Sequence, residues 1–123
     1  MDRRRYLAVE VFCEEQLIDE RMAFNAIRET FAKLFGLVAL SSANLKLVSI
    51  REWPYSNVFV ISCSHRCVDR VRASIALIDR VDGIRCSLRV VRVSGTIRAL
   101  KKRLIESQAG FELGMRAPSQ SDR

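Results

Sequence analysis

The chain has 123 residues, enough for one domain with a single core that needs neither metal nor disulfide staples. A composition of 49% hydrophobic and 28% charged residues excludes a disordered polymer, and no apolar run approaches the ~20 residues of a membrane-spanning helix. The net charge of +7 is unevenly placed: residues 1–64 hold eight Lys/Arg and eight Asp/Glu, whereas residues 65–104 hold eleven Lys/Arg against three Asp. Such asymmetry is the footprint of a polyanion partner, nucleic acid first among them, with a merely soluble basic surface as the bland alternative.

The opening MDRRRYLAVEVF sets basic residues before an apolar stretch, but Glu10 and Cys13-Glu14-Glu15 spoil a secretory signal. A cytoplasmic protein is expected, or a nuclear one in a eukaryote. Residues 5–13 alternate, with Leu7, Val9, Val11 and Cys13 on one side and Tyr6, Ala8, Glu10 and Phe12 on the other, which predicts a strand. Asp19 caps a helix running to Phe35, with Phe24, Ile27, Phe31 and Leu34 as its stripe and Gly36 as its stop. Leu37 to Asn44 allows a short helical turn. A second strand follows over Leu45 to Ile50, and a third over Val58 to Cys63 (VFVISC), apolar on both faces and therefore central.

The spacing of Val68, Val71, Ile75 and Ile78 predicts a helix from Arg66 to Asp79, and Asp82-Gly83 is a turn. Ile84 to Val93 is the fourth strand, with Ile84, Cys86, Leu88 and Val90 inward and Arg85, Ser87 and Arg89 outward. Its alternation slips at Val90-Val91, which would point Arg92 at the core, and a β-bulge between Val90 and Arg92 resolves the conflict. A last helix, Thr96 to Ser107, packs through Ile97, Leu100 and Leu104. Residues 1–107 thus form one split β-α-β domain, and residues 108–123 a flexible tail. The fold class is α+β: a ferredoxin-like (RRM-like) sandwich, a four-stranded antiparallel sheet with helices packed on it and a basic C-terminal helix.

The cationic segments converge on one chemistry. In VRVSGTIRALKKR, residues 91–103, the β-branched run ends at Ser94-Gly95-Thr96 and a basic helix begins. A helix start offers unpaired N–H groups and a partial positive charge, Gly95 permits close approach, and Ser94 and Thr96 can cap the helix or donate to a phosphate oxygen. Arg98, Lys101 and Lys102 share one face. No glycine-rich loop with Lys-Ser or Lys-Thr is present, so a phosphodiester chain fits better than a nucleotide, against the bland reading of an ordinary cap and a solvated face. Arg66, Arg70 and, at its end, Arg80 on the preceding helix, with Arg72 nearby, and Arg3, Arg4 and Arg5 at the start broaden the surface.

Other chemistries are weaker. Tyr6, Phe12 and Phe59 suit the core better than base stacking on the sheet, because the basic-aromatic signature of RNA-recognition modules is missing. Cys63, His65, Cys67 and Cys86 include no C-x-x-C knuckle, so buried thiols explain them better than zinc. His65 beside Cys63 is not read as a nucleophile and its base, and Glu14-Glu15 and Asp79/Asp82 read as solvated charge. No catalytic and no metal-binding residue is expected.

Several stretches together, R-Y-L-x-V-E at the start, V-D-R-V-R-A-S-I-A-L-I followed by D-G, and R-V-V-R-V-S-G-T-I-R closing into a basic helix, resemble protein component 2 of ribonuclease P, the Pop-five family of archaea and eukaryotes. The similarity runs from Arg4 to Leu104, and Ser94-Gly95-Thr96-Ile97-Arg98 is its most specific piece. The lack of an acidic tail is more similar to archaeal members. The resemblance implies a protein subunit of an RNA-catalysed endoribonuclease that removes the 5′ leader of precursor tRNA. It implies no cofactor on this chain, with magnesium on the RNA subunit. The implied partners are the ribonuclease P RNA, a TIM-barrel-like subunit (component 3), other ribonuclease P proteins and a second copy, as two pairs join into a heterotetramer; precursor tRNA is the substrate of the complex, and no membrane is involved. It makes Ser94, Gly95, Thr96, Arg98, Lys101, Lys102, Arg66 and Arg70 the RNA-contact candidates, and residues 31–40 a protein interface. The competing readings are a small-ligand regulatory module on the same fold and a zinc-binding adaptor.

Overall fold

The computed structural model describes residues 3–14 and 18–114, of 107–114 the backbone alone. The elements are β1 (Arg4–Cys13), α1 (Glu20–Phe35), α2 (Leu37–Ala43), β2 (Lys46–Val48), β3 (Val58–Ser64), a 3-10 turn (His65–Cys67), α3 (Val68–Ala76), β4 (Arg80–Val81), β5 (Ile84–Ser94) and α4 (Ile97–Gly114). The strands form one antiparallel sheet in the order β2-β3-β1-β5-β4.

The split β-α-β order and the α+β class hold, but the sheet has five strands where four were expected. The addition is β4, whose two residues pair with Arg85 and Ile84 through a hairpin. Asp82 and Gly83 both take positive φ, 50° and 79°, the geometry that a tight two-residue hairpin requires and that Asp-Gly supplies at low cost. Arg80 therefore belongs to a strand and not to the end of α3, which stops at Ala76. The short helical turn after Gly36 is a two-turn helix, α2, and α4 continues past Ser107 to Gly114; residues 115–123 of the expected tail lie outside the described residues, as does Glu15.

The first helix follows its sequence signals. The Asp19 side chain accepts from the Met22 N–H at 2.8 Å, and Gly36, at φ 93°, ends the helix by donating to the Ala32 carbonyl. Phe24, Ile27 and Phe31 are buried, whereas Leu34 is 44% exposed and leaves the stripe at its last turn.

Alternation along β1 divides the molecule into two apolar layers. Leu7 and Val9 join Phe59, Ile61, Cys63, Cys86 and Leu88 beneath α1 and α3. Ala8 and Val60 face the other way, where Leu100 of α4 seals them together with Tyr6, Val48, Trp53 and Leu104. β3 packs on both faces, as its sequence demands. The helix α4 thus lies on the opposite side of the sheet from α1 and α3, and Leu100, fully buried, fastens it there. Leu100→Ala is expected to cost about 2–5 kcal/mol in urea unfolding, because α4 has no other fully buried side chain among the described residues.

Candidate nucleic-acid interface

β1 pairs on both flanks, and the pairing decides where the cations meet. Arg4 and Arg5 lie opposite Ser64 and Cys63 at the end of β3, while Tyr6 lies opposite Ser94 at the end of β5. Because both neighbours run antiparallel to β1, the two strands that lead into basic segments finish where the N-terminal arginines begin. The Arg3 carbonyl accepts from the His65 N–H at 2.8 Å, which extends this pairing into the 3-10 turn that carries Arg66. Three segments distant in sequence, residues 3–5, 64–66 and 92–98, share one end of the sheet.

The junction after β5 has defined local geometry. Thr96 is the cap of α4: its Oγ1 accepts from the Ala99 N–H at 3.1 Å, and its carbonyl accepts from the Leu100 N–H at 3.1 Å. Ser94 Oγ accepts from the Thr96 N–H at 3.3 Å. Both hydroxyls accept in these bonds, so each keeps its own proton for an anion. A methyl group added at Gly95 would meet only Arg5 Nη1, at 3.7 Å, which is ordinary contact. Packing therefore does not require glycine there, and the missing side chain leaves the backbone beside Arg5 open.

The bulge expected between Val90 and Arg92 is present. Ala8 pairs with Arg92 and Val9 with Val90, so Val91 is the extra residue. Val90 and Val93 pack toward α1 and α3, whereas Val91 packs toward α4. The bulge turns Arg92 away from the main core to the α4 side, next to Ala8. Its Nε is shielded from solvent and has no acceptor among the described residues. Arg4 is held differently, with Nη2 donating to the Asn44 carbonyl at 2.9 Å and to Ser62 Oγ at 2.6 Å. Both acceptors are neutral, so no carboxylate offsets the Arg4 guanidinium.

The candidates chosen from sequence do not form one patch. Ser94, Gly95, Thr96 and Arg98 sit at the junction, and Arg66 lies at the same end of the sheet. Arg98 and Lys102 are exposed on α4, one turn apart, while Lys101 is half-buried on the flank of the helix. Arg70 belongs to the opposite layer, where its guanidinium stacks over the Phe35 ring at 5.6 Å from the centroid. Arg5, expected only as part of a broad basic arm, and Arg92, expected nowhere in the interface, both meet the junction. The register of β1 brings one to Gly95 and the bulge turns the other, and the only trace of this in the sequence is the broken alternation at Val90-Val91.

The cysteines divide. Cys63 lies opposite Arg5, and Cys86 opposite Cys13, eight residues further along β1 or roughly 26 Å at a strand's rise. Cys86 therefore cannot complete a metal site with Cys63, His65 and Cys67. Burial, reinforced by Cys67, pushes the Cys63 thiol from its ordinary 9.0 up to about 11, and burial with Cys13 beside it does the same for Cys86. Below pH 9 these thiols are protonated in both folded and unfolded chains, and their contribution to stability is fully present. As pH rises toward about 11 the unfolded chain releases protons that the folded one retains, so stability falls. The double variant Cys63→Val, Cys86→Val should lose less stability than the parent in urea melts taken between about pH 8.5 and 11.

Residues 5–105 match the profile of the Rpp14/Pop5 family. The chain is 28% identical over 109 residues to ribonuclease P protein component 2 of Methanosarcina mazei, covering 89% of this chain and 90% of that one. It is 32% identical over 100 residues to the protein of the same name from Methanocaldococcus jannaschii, covering 81% and 71%. A chain in the cryo-EM structure of yeast ribonuclease MRP superposes with a TM-score of 0.61 at 12% identity, covering 89% of this chain and 93% of that chain, a likeness of fold. With the profile matched across both layers of the sheet and through the Ser94–Arg98 junction, this chain belongs to the Rpp14/Pop5 family.

Proposed function

We propose that the chain is a non-catalytic protein subunit of ribonuclease P that supports the RNA subunit in removing the 5′ leader from precursor tRNA. Family membership supports the assignment, and the observation that carries the mechanism is the meeting of residues 3–5, 64–66 and 92–98 at one end of the sheet. In this reading the fold is a ferredoxin-like sandwich widened by β4, and the junction end grips the RNA backbone. The free N–H groups at the start of α4 and the hydroxyl protons of Ser94 and Thr96 take one phosphate, while Arg5, Arg98 and Lys102 follow the chain on either side. Neutralising phosphates lets RNA helices approach one another and fixes the geometry in which the RNA holds magnesium. The chain itself supplies no reacting group.

The partners in this reading are the ribonuclease P RNA, the TIM-barrel-like component 3 and further protein subunits, with precursor tRNA as substrate of the complex and the cytoplasm as its location. No helix among the described residues is long and apolar enough to cross a membrane. The exposed Leu34, Phe35, Leu37 and Val38, at the corner between α1 and α2, suit the protein partner. A small-ligand module is less well supported: surface cavities of about 250 and 290 Å³ lie beside Asp19 and beside Lys33, and neither includes a residue of the junction.

The triple variant Arg98→Ala, Lys101→Ala, Lys102→Ala is expected to bind the RNA more weakly and to lower the magnitude of the log-salt slope by up to about one unit per lost contact. An unchanged slope in the folded variant removes α4 from the interface. Purified chain without RNA should cleave no precursor tRNA, and RNA-free cleavage would overturn the non-catalytic assignment.

A further inference from the structure

The half of the sheet that α4 leaves open carries an arrangement with no role in packing. Phe12, near the end of β1, is 67% exposed. It shares its face with Ala8 but lies four residues beyond it, away from the Leu100 contact. Its direct neighbour across β5 is the exposed Ser87, and its diagonal neighbours are Arg85 and Arg89. Diagonal pairs of this kind lie within reach of long side chains. One strand further out, Arg80 of β4 lies directly opposite Arg85, both exposed, a like-charge pairing that weakens a sheet. Glu10 neutralises one of these cations through a 2.7 Å bond to Arg89, and that is the only ion pair among the described residues. An exposed ring with Arg85 and Arg80 on the side away from the Glu10–Arg89 pair has the chemistry of a stacking platform with phosphate contacts beside it.

We propose that Phe12, Arg80 and Arg85 form a second nucleic-acid site, which takes an unpaired nucleotide of single-stranded RNA by stacking its base on Phe12. The site is separate from the strand-to-helix junction, which lies at the other end of β1 and grips backbone phosphates. An exposed phenylalanine costs free energy in water, and two directly opposed arginines repel each other. A base covers the first and a phosphate chain relieves the second, whereas an apolar protein partner would answer only one of the two. The aromatic-in-the-core expectation therefore fails for Phe12, though it holds for buried Phe59 and half-buried Tyr6. The basic residues that accompany Phe12 come from β5 and β4 instead of from a contiguous motif.

The test is an NMR titration of the full chain with unstructured oligoadenylate of about eight nucleotides, within the site size of small single-strand binders. Ring-current shifts are expected on Phe12, Ser87 and Arg85. Phe12→Leu, which keeps the apolar surface and loses the ring, should weaken binding roughly 5- to 150-fold, and Phe12→Tyr should retain it. The junction variant Arg98→Ala, Lys101→Ala, Lys102→Ala should leave the Phe12 shifts in place, so the two surfaces fail independently. Absent shifts at Phe12, or parental affinity in Phe12→Leu, would overturn the proposal. So would a Phe12→Leu chain that binds the oligonucleotide normally but no longer retains a protein subunit in the purified ribonucleoprotein, since that result makes the face a protein contact.

Discussion

Everything at the candidate interface depends on the double antiparallel pairing of β1. A central strand with antiparallel neighbours on both sides forces each neighbour to end where it begins, and the two neighbours here lead into Arg66 and Arg98. The fold thereby gathers arginines that the chain separates by some sixty to ninety residues. Such a gathering is unfavourable by itself. Arg4 is satisfied by a carbonyl and a hydroxyl, Arg92 keeps an unpaired Nε, and the one ion pair among the described residues, Arg89–Glu10, lies toward the other end of β1. Hydrophobic burial on both faces of β1 and β3 holds the arrangement together against this repulsion. A polyanion would relieve it, and any ligand that binds only the folded state stabilises that state.

The bulge at Val91 matters for the same reason. A regular strand would have placed Arg92 in line with Leu88 and Val90, under α1 and α3, where a guanidinium has no partner. One inserted residue lets Val90 and Val93 both serve the main core and sends Val91 and Arg92 to the α4 side. The strand then continues in phase to Ser94 and delivers the chain to Thr96, whose cap starts α4 across the sheet face. Two local devices, an extra residue and a hydroxyl cap, convert a core strand into the entry of a basic helix.

Much of this was legible locally and little of it globally. The alternation of Leu7, Val9 and Val11, the caps Asp19 and Gly36, and the doubled valine at the bulge are signals contained within a few residues, and each became the structure it predicted. The two-residue β4 was hidden because so short a strand has no period to detect; only the Asp82-Gly83 turn pointed to it. Leu34 followed its helix stripe in sequence but lies past the edge of what α1 covers. Which basic residues meet is a property of register, and register is a long-range fact. Arg5 was therefore placed beside Gly95 only by the fold, while Arg70, on a helix with the right charge, went to the far layer.

The crossing of α4 also sorts the sheet face chemically. Where Leu100 and Leu104 lie, the face is apolar: Ala8, Val60, Val48 and Trp53 are covered, and the Trp53 indole N–H is satisfied by the Val58 carbonyl at 2.6 Å. Where α4 does not reach, the residues in the same outward phase become Glu10, Phe12, Arg85, Ser87 and Arg89. A sheet that had to be closed over its whole face would carry small or aliphatic side chains at these positions as well. This sheet carries instead one exposed ring among arginines, and opposes Arg80 to Arg85 with no carboxylate paired to either among the described residues. The helix closes the half of the face that stability needs, and the other half keeps Phe12, Arg85 and Arg89 exposed.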